Sequence, residues 1–202
     1  MNREDTVSTT KRVLDLIDRN TLDCAPAARR LPSNMFIANE RHLQDKAFIA
    51  RSPHAIAYTG EIKRGHYLTR SVASVPVLLV RDKDGLLRAF LNACAHRGAC
   101  VAQGEGKAQR FKCSYHAWCY DQQGRLIARP GPEHFDGIDE AGLGLKPLPV
   151  VEDRGLVIVG LQDGVEVSGH LDSVAHALEY PYQEYEHLKT WEFTVEANWK
   201  LV

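Results

Sequence analysis

The spacing of apolar residues changes character along the chain, and each change predicts a different kind of element. Val13, Leu14 and Ile17 recur at helical spacing and fall on one face, which predicts an amphipathic helix over Thr9–Asn20, with Ser8 or Thr9 as its cap. Residues 21–34 hold two prolines and the Arg29-Arg30 pair and read as a linker. Glu40–Arg51 returns to helical spacing, with Leu43, Ala47 and Phe48 on one side.

From residue 66 to residue 128 the pattern becomes short strands divided by turn residues. Val77–Val80 and Leu86–Leu91 flank Arg81-Asp82-Lys83-Asp84-Gly85, where Asp-Gly offers the positive φ of a tight hairpin. Pro76 stands just before the first of these strands, where its missing N–H does not interrupt the ladder. Asp121-Gln122-Gln123-Gly124 signals a second hairpin between Ala117–Tyr120 and Arg125–Ala128, and Pro130-Gly131-Pro132 ends the run. A strand over Gly155–Leu161, a helix over His170–Tyr180 and a strand over Thr190–Glu196 follow. The chain shows no internal repeat and no low-complexity stretch.

Composition narrows the function classes. The 202 residues are enough for one core and a smaller appendage. With 25 Lys and Arg against 26 Asp and Glu, no overall basic surplus argues for nucleic acid. The longest apolar runs, Val77–Val80 and Leu156–Leu161, are far too short to span a bilayer. Met1–Thr10 is polar and lacks the apolar core of a secretory signal, so a cytoplasmic, reducing location is expected. The five cysteines then read as metal ligands or small buried hydrophobes before disulfides.

Two segments carry the chemistry: Cys94-Ala95-His96-Arg97-Gly98 and Cys113-Ser114-Tyr115-His116. The pattern is C-x-H, sixteen residues, then C-x-x-H, with each arm in a loop just after a strand. Two loops at one end of a small β-domain can pinch a metal centre, each giving one sulfur and one nitrogen. That set suits a 2Fe–2S cluster with Cys94 and Cys113 on one iron and His96 and His116 on the other. Two neutral imidazoles in place of two thiolates make such a Rieske-type cluster easier to reduce, at about −150 to +300 mV against about −400 mV for all-cysteine plant-type ferredoxins. A structural zinc tetrahedron of two Cys and two His is the alternative, although zinc arms usually pair like ligands.

Around these ligands lie Asn92-Ala93-Cys94-Ala95-His96-Arg97-Gly98-Ala99, Phe111-Lys112-Cys113-Ser114-Tyr115-His116-Ala117-Trp118, Tyr120-Asp121, Gly124-Arg125-Leu126 and Pro130. With the Arg81–Gly85 turn they make the chain, from about residue 30 to its end, resemble the Rieske domain of ring-hydroxylating oxygenase α subunits. The resemblance implies a mainly β fold of three small antiparallel sheets, with the cluster loops at the tip and helices flanking it at both ends. It divides the chain into a helical arm and linker (1–45), the Rieske domain (46–164) and a segment leading toward a further domain (165–202). Arg97, Gly98, Tyr115 and Trp118 are expected around the ligands. Gly98 would allow a tight backbone path near the sulfides, and Trp118 would cover the cluster.

Respiratory Rieske proteins bridge their two cluster loops with a disulfide, and the corresponding positions here are Ala99 and Tyr115. Cys100 and Cys119 are therefore expected to be reduced and buried, a bridge between them being the lesser reading, and Cys24 has no assigned role. His42, His54, His66, His134, His170, His176 and His187 form no ligand pattern and read as solvated or packing residues.

The resemblance also implies single-electron transfer from a reductase or ferredoxin to a mononuclear non-haem iron on a 2-His-1-carboxylate triad. That iron belongs to a second domain, of the same or a neighbouring subunit in a trimer. Glu196–Val202 resembles the approach to it, and no residue set upstream has suitable spacing. The chain is expected to be a truncated α subunit, a split gene product or a partial sequence, without catalytic residues of its own. The rival readings are a stand-alone Rieske ferredoxin, which would be much shorter, and a zinc-stabilised module. No membrane or nucleic-acid partner is expected.

Overall fold

A computed structural model describes residues 3–131, 135, 137, 140–178, 184–185 and 187–201. Three helices open the chain: α1 (Arg3–Asp18), α2 (Asn34–Ile37) and α3 (Asn39–Arg51). Eleven strands follow among the described residues: β1 (Pro53–Tyr58), β2 (His66–Val72), β3 (Val75–Arg81), β4 (Leu87–Leu91), β5 (Glu105–Lys107), β6 (Arg110–Lys112), β7 (Cys119–Asp121), β8 (Leu126–Ala128), β9 (Pro147–Leu148), β10 (Val150–Asp153) and β11 (Leu156–Gly160). They form three antiparallel sheets, ordered β1-β11-β10, β5-β2-β3-β4-β9 and β6-β7-β8. The mainly β architecture of small sheets is the one expected.

The run Val77–Val80 explains how the sheets stack. Side chains alternate across a strand, so Val77 and Leu79 face one way and Leu78 and Val80 the other. Val77 and Leu79 pack with Ala57, Val157 and Val159 of the β1-β11-β10 sheet. Leu78 and Val80 pack with Phe90, Phe111, Tyr120 and the cysteines of the two loops. The central strand is therefore buried on both faces, and the second core is also the floor of the site.

Both predicted hairpins form. In the first, β3 pairs with β4, the Asp82 carboxylate accepts the N–H groups of Asp84 and Leu86, and Gly85 takes φ +92°. In the second, β7 pairs with β8 and Gly124 takes φ +79° beneath the Phe90 ring. Arg81 ties the layers together. Its guanidinium donates to the Ile62 and Gly85 carbonyls and, through both terminal nitrogens, to Glu152 on β10.

The ends of the chain depart from expectation. Helix α1 begins at Arg3, so Ser8 and Thr9 are interior rather than capping residues, and it stops before Asn20, which takes φ +51°. None of its residues is buried, and Val13, Leu14 and Ile17 are exposed. The helix expected over Glu40–Arg51 is present as α3, but its apolar side is also exposed at Leu43 and Phe48. Of the helix expected over His170–Tyr180, the described part is a 3₁₀ run, Asp172–Ala177, and Tyr180 lies outside the described residues. Thr190–Glu196 is not a strand: among the described residues no neighbouring strand offers a ladder, and Trp191, Phe193 and Val195 are exposed. The C-terminal stretch instead returns to the N-terminal helices. Lys200 pairs with Asp45 at 2.6 Å, and Asn198 donates to the Phe36 carbonyl. No helix among the described residues is long and apolar enough to cross a membrane.

Candidate metal centre

The two loops are built on the same backbone plan. β4 ends at Leu91 and leads into Cys94; β6 ends at Lys112 and leads into Cys113. In each loop the cysteine N–H donates to the carbonyl five residues on, Ala99 or Trp118, at 2.8 Å. The cysteine carbonyl accepts the N–H four residues on, from Gly98 at 2.8 Å or Ala117 at 3.0 Å. That fourth residue is left-handed in both, with φ +73° at Gly98 and +59° at Ala117. Glycine adopts this conformation without the strain that Ala117 bears, and a Cβ at Gly98 would meet no protein atom within 4 Å. Asn92 anchors the first loop. Its buried amide donates to the Ala102 carbonyl and accepts the N–H groups of Val101 and Ala102.

These turns bring the four sequence-predicted ligands together as two pairs. Cys94 and Cys113 are buried in the same core cluster. The rings of His96 and His116 lie 4.7 Å apart between centroids. Burial pushes the Cys113 thiol up, but the N–H groups of Tyr115 and His116 and the Cys94 sulfur outweigh it, so its pKa is lowered. Burial also lowers the pKa of His96, aided by His116 and Arg97, which favours the neutral imidazole that a metal requires. The Nδ1 atom of His96 is buried and has no hydrogen-bond partner within the chain. A buried polar atom is costly to leave unpaired, so this nitrogen is aimed at something the protein itself does not supply.

Among the described residues no three Cys, His, Asp or Glu side chains converge as ligands of one ion. Two buried thiols and a close imidazole pair suit a cluster with mixed sulfur and nitrogen ligands better than a zinc tetrahedron. The donor set and the orphaned His96 nitrogen fit a 2Fe–2S cluster.

The surroundings are aromatic. Trp118 is buried and stacks on His96, with centroids 5.0 Å apart and planes 8° from parallel. Phe135 meets both rings edge-on, and Arg129 lies over Phe135 at 5.0 Å and over Trp118 at 6.0 Å. Tyr115 is 60% exposed, and its ring centroid is 3.9 Å from that of His116. Arg97 is exposed at the tip.

One contact was not anticipated. Tyr120 is fully buried, its hydroxyl 3.1 Å from the Cys94 sulfur and 3.1 Å from the Ala95 N–H, which donates to it. Burial, then the Cys94 contact, raises its pKa, so the phenol keeps its proton and can donate to the sulfur. Tyr120 lies in the middle of β7, two residues after Trp118, and both are buried, so their spacing across the expected strand was the available signal.

The Rieske [2Fe-2S] domain family matches residues 52–149. Those residues are a Rieske [2Fe-2S] domain. Its cofactor is accordingly a 2Fe–2S cluster, as the ligand pattern led us to expect. Among curated proteins, the carnitine monooxygenase oxygenase subunit of Acinetobacter pittii is 32% identical over 165 residues, covering 79% of this chain and 44% of its own length. The chloroplastic choline monooxygenase of Beta vulgaris is 32% identical over 155 residues, covering 71% of this chain and 34% of its own. A quaternary ammonium Rieske monooxygenase crystallised with γ-butyrobetaine superposes with a TM-score of 0.67 at 28% identity, covering 73% of this chain and 44% of that one. A naphthalene 1,2-dioxygenase variant bound to phenanthrene gives 0.61 at 28% identity, covering 68% of this chain and 33% of that one. This chain thus spans less than half the length of these relatives, which are oxygenases, as the resemblance implied.

All five cysteines are free thiols. Cys100 and Cys119 form no bridge, but Cys100 is exposed rather than buried and Cys119 is half-buried. His54, His66 and His170 hydrogen-bond to backbone carbonyls, and His187 to the Thr190 hydroxyl, as packing or surface residues do. His134 and the side chain of His176 lie outside the described residues.

Proposed function

We propose that this chain is the electron-transfer part of a Rieske-type oxygenase. Cys94 and Cys113 hold one iron of the cluster, and His96 and His116 the other. The observation that carries the assignment is the buried Nδ1 of His96, unpartnered among the described residues and next to the His116 ring, in a chain that also buries Cys94 and Cys113. When bound, the cluster supplies a reversible one-electron couple. The chain's residues do the rest. Trp118 and Phe135 exclude water from the His96 side, Tyr120 and the backbone N–H groups of Tyr115 and His116 stabilise charge on sulfur, and His116 with Tyr115 faces the surface.

In this reading the electron comes from a reductase or ferredoxin and goes to a mononuclear iron in an oxygen-activating domain. Inter-subunit electron transfer is described for a quaternary ammonium Rieske monooxygenase whose structure is related at 26% identity and a TM-score of 0.64, which supports passage to a neighbouring subunit of a homo-oligomer. The relatives' names make quaternary ammonium monooxygenation the first activity to assay. The division into an arm (1–45), a Rieske unit (46–164) and a following segment (165–202) belongs to the same proposal. So does a cytoplasmic location, which the free thiols support.

Purified anaerobically, the chain is expected to carry two irons and two acid-labile sulfides, with the absorption and EPR of a Rieske centre after dithionite reduction. His96→Ala and Cys113→Ala are each expected to lose labile sulfide. Zinc in place of iron, with no labile sulfide, overturns the assignment.

A further inference from the structure

Away from the ligands, a second feature bears on how electrons reach the site. The chain as a whole has a net charge of −1, yet residues 62–128 carry eleven Lys or Arg against four Asp or Glu, a surplus of seven. Three of those cations converge. Arg64, before β2, Lys83, in the β3–β4 turn, and Lys107, on β5, line one cleft of about 580 Å³, with Gly65, Gln109 and Asp121–Gln123 completing the wall. The cleft is built rather than incidental. Ala108 donates to the Gly65 carbonyl, Gln122 donates to the Ala108 carbonyl at 2.8 Å, and the Arg64 guanidinium is seated over Gly85, where an added Cβ would come within 3.1 Å.

Among the described residues no carboxylate forms an ion pair with any of the three cations. Of the four in this segment, Asp82 is buried against Arg88, and Asp121 is held by Arg125 at 2.8 Å. Asp84 and Glu105 are exposed and form no ion pair with Arg64, Lys83 or Lys107 among the described residues. Like charges gathered without a counter-charge repel one another in the isolated chain and favour an anionic partner. The cleft also leads to the cluster loops. β6 leaves its wall at Gln109 and reaches Cys113 four residues later, about 13 Å at strand rise. Along that path Arg110 and Lys112 point outward while Phe111 is buried.

We infer that the Arg64–Lys83–Lys107 cleft docks an acidic electron-donor protein, one carrying carboxylates around its own one-electron centre. This rests on the electron-transfer reading above and adds where the donor binds and what it presents. In the transfer, the reduced donor gives up one electron and the 2Fe–2S centre gains it; no bond forms or breaks.

The test uses the cluster-loaded chain and reduced plant-type [2Fe–2S] ferredoxin as an acidic probe, followed by stopped-flow absorbance. The second-order rate constant is expected to fall at least tenfold between low salt and about 0.3 M salt, where screening is nearly complete. A triple variant, Arg64→Gln with Lys83→Gln and Lys107→Gln, should be at least tenfold slower at low salt and nearly insensitive to salt. Its reduction by dithionite should match the wild type. A control that removes the same charge from the N-terminal arm, Lys11→Gln with Arg29→Gln and Arg30→Gln, should leave the ferredoxin rate unchanged. Equal rates in wild type and cleft variant overturn the docking site, as does equal slowing by the arm control. A purified chain without labile sulfide, or one dithionite does not reduce, would instead refute the electron-transfer reading.

Discussion

Replacing Tyr120 with Phe isolates one hydrogen bond at the proposed cluster. The ring is fully buried in the core, shared with Phe111 and Trp118, that floors the site, so Phe keeps the packing and removes only the hydroxyl. That hydroxyl is 3.1 Å from the Cys94 sulfur and accepts the Ala95 N–H. A hydrogen bond to a charged acceptor is worth about 1.5–3 kcal/mol. It stabilises both redox states, and only the excess in the reduced, more negative state moves the potential. Taking about a third to a half of the bond as that excess leaves about 0.5–1.5 kcal/mol. Since about 1.4 kcal/mol corresponds to about 59 mV for one electron, Tyr120→Phe should lower the potential by about 20–60 mV. The sign follows from losing a donor to sulfur, one of the factors that set iron–sulfur potentials. The assay is a redox titration by circular dichroism or EPR, with iron and sulfide content checked in parallel. A variant with a full cluster whose potential is unchanged, or higher, refutes the argument that the phenol donates to the sulfur.

Three other substitutions test the frame around the site. Gly124→Ala puts a Cβ 2.4 Å from the Phe90 ring at a residue with φ +79°, and strain plus overpacking should cost about 2–4 kcal/mol in urea unfolding; an unshifted midpoint would show that the hairpin does not rely on this contact. Asn92→Ala orphans the Val101 and Ala102 N–H groups beside the first cluster loop, with an expected loss of about 2–4 kcal/mol and faster release of labile sulfide; retained sulfide at wild-type stability would contradict it. Glu152→Gln removes the Arg81 pair, which, through its hydrogen bond first, lowers the Glu152 pKa from its ordinary 4.5. A lowered folded-state pKa stabilises the protein above the ordinary value and loses that contribution as pH falls through the lowered one. The variant should therefore be about 1 kcal/mol less stable at neutral pH, after screening, and the gap should close under acid; a gap independent of pH would remove the ion pair as its cause.

What could be read from the chain, and what could not, follows from the reach of each signal. The hairpins at Asp84-Gly85 and Gln123-Gly124 were legible because their positive φ is a local demand that few residues other than glycine meet. The four proposed ligands stood out because two sulfurs and two imidazoles in that order have few chemical uses, and the structure buries Cys94 and Cys113 and sets the His96 ring against that of His116. Tyr120 was not, because an aromatic residue in a strand reads first as core, and its partner Cys94 is 26 positions away. The same limit accounts for the strand that does not form. Trp191, Phe193 and Val195 alternate as a half-buried strand should, but alternation states only which side chains need a cover, and these are 62%, 84% and 57% exposed. Helix α1 shows the complement, since helical spacing of Val13, Leu14 and Ile17 anticipated a helix whose apolar face has no cover among the described residues. Periodicity fixes conformation where the backbone can satisfy itself, as in a helix. Where a ladder or a second face is required, the pattern is a condition that only another segment can meet.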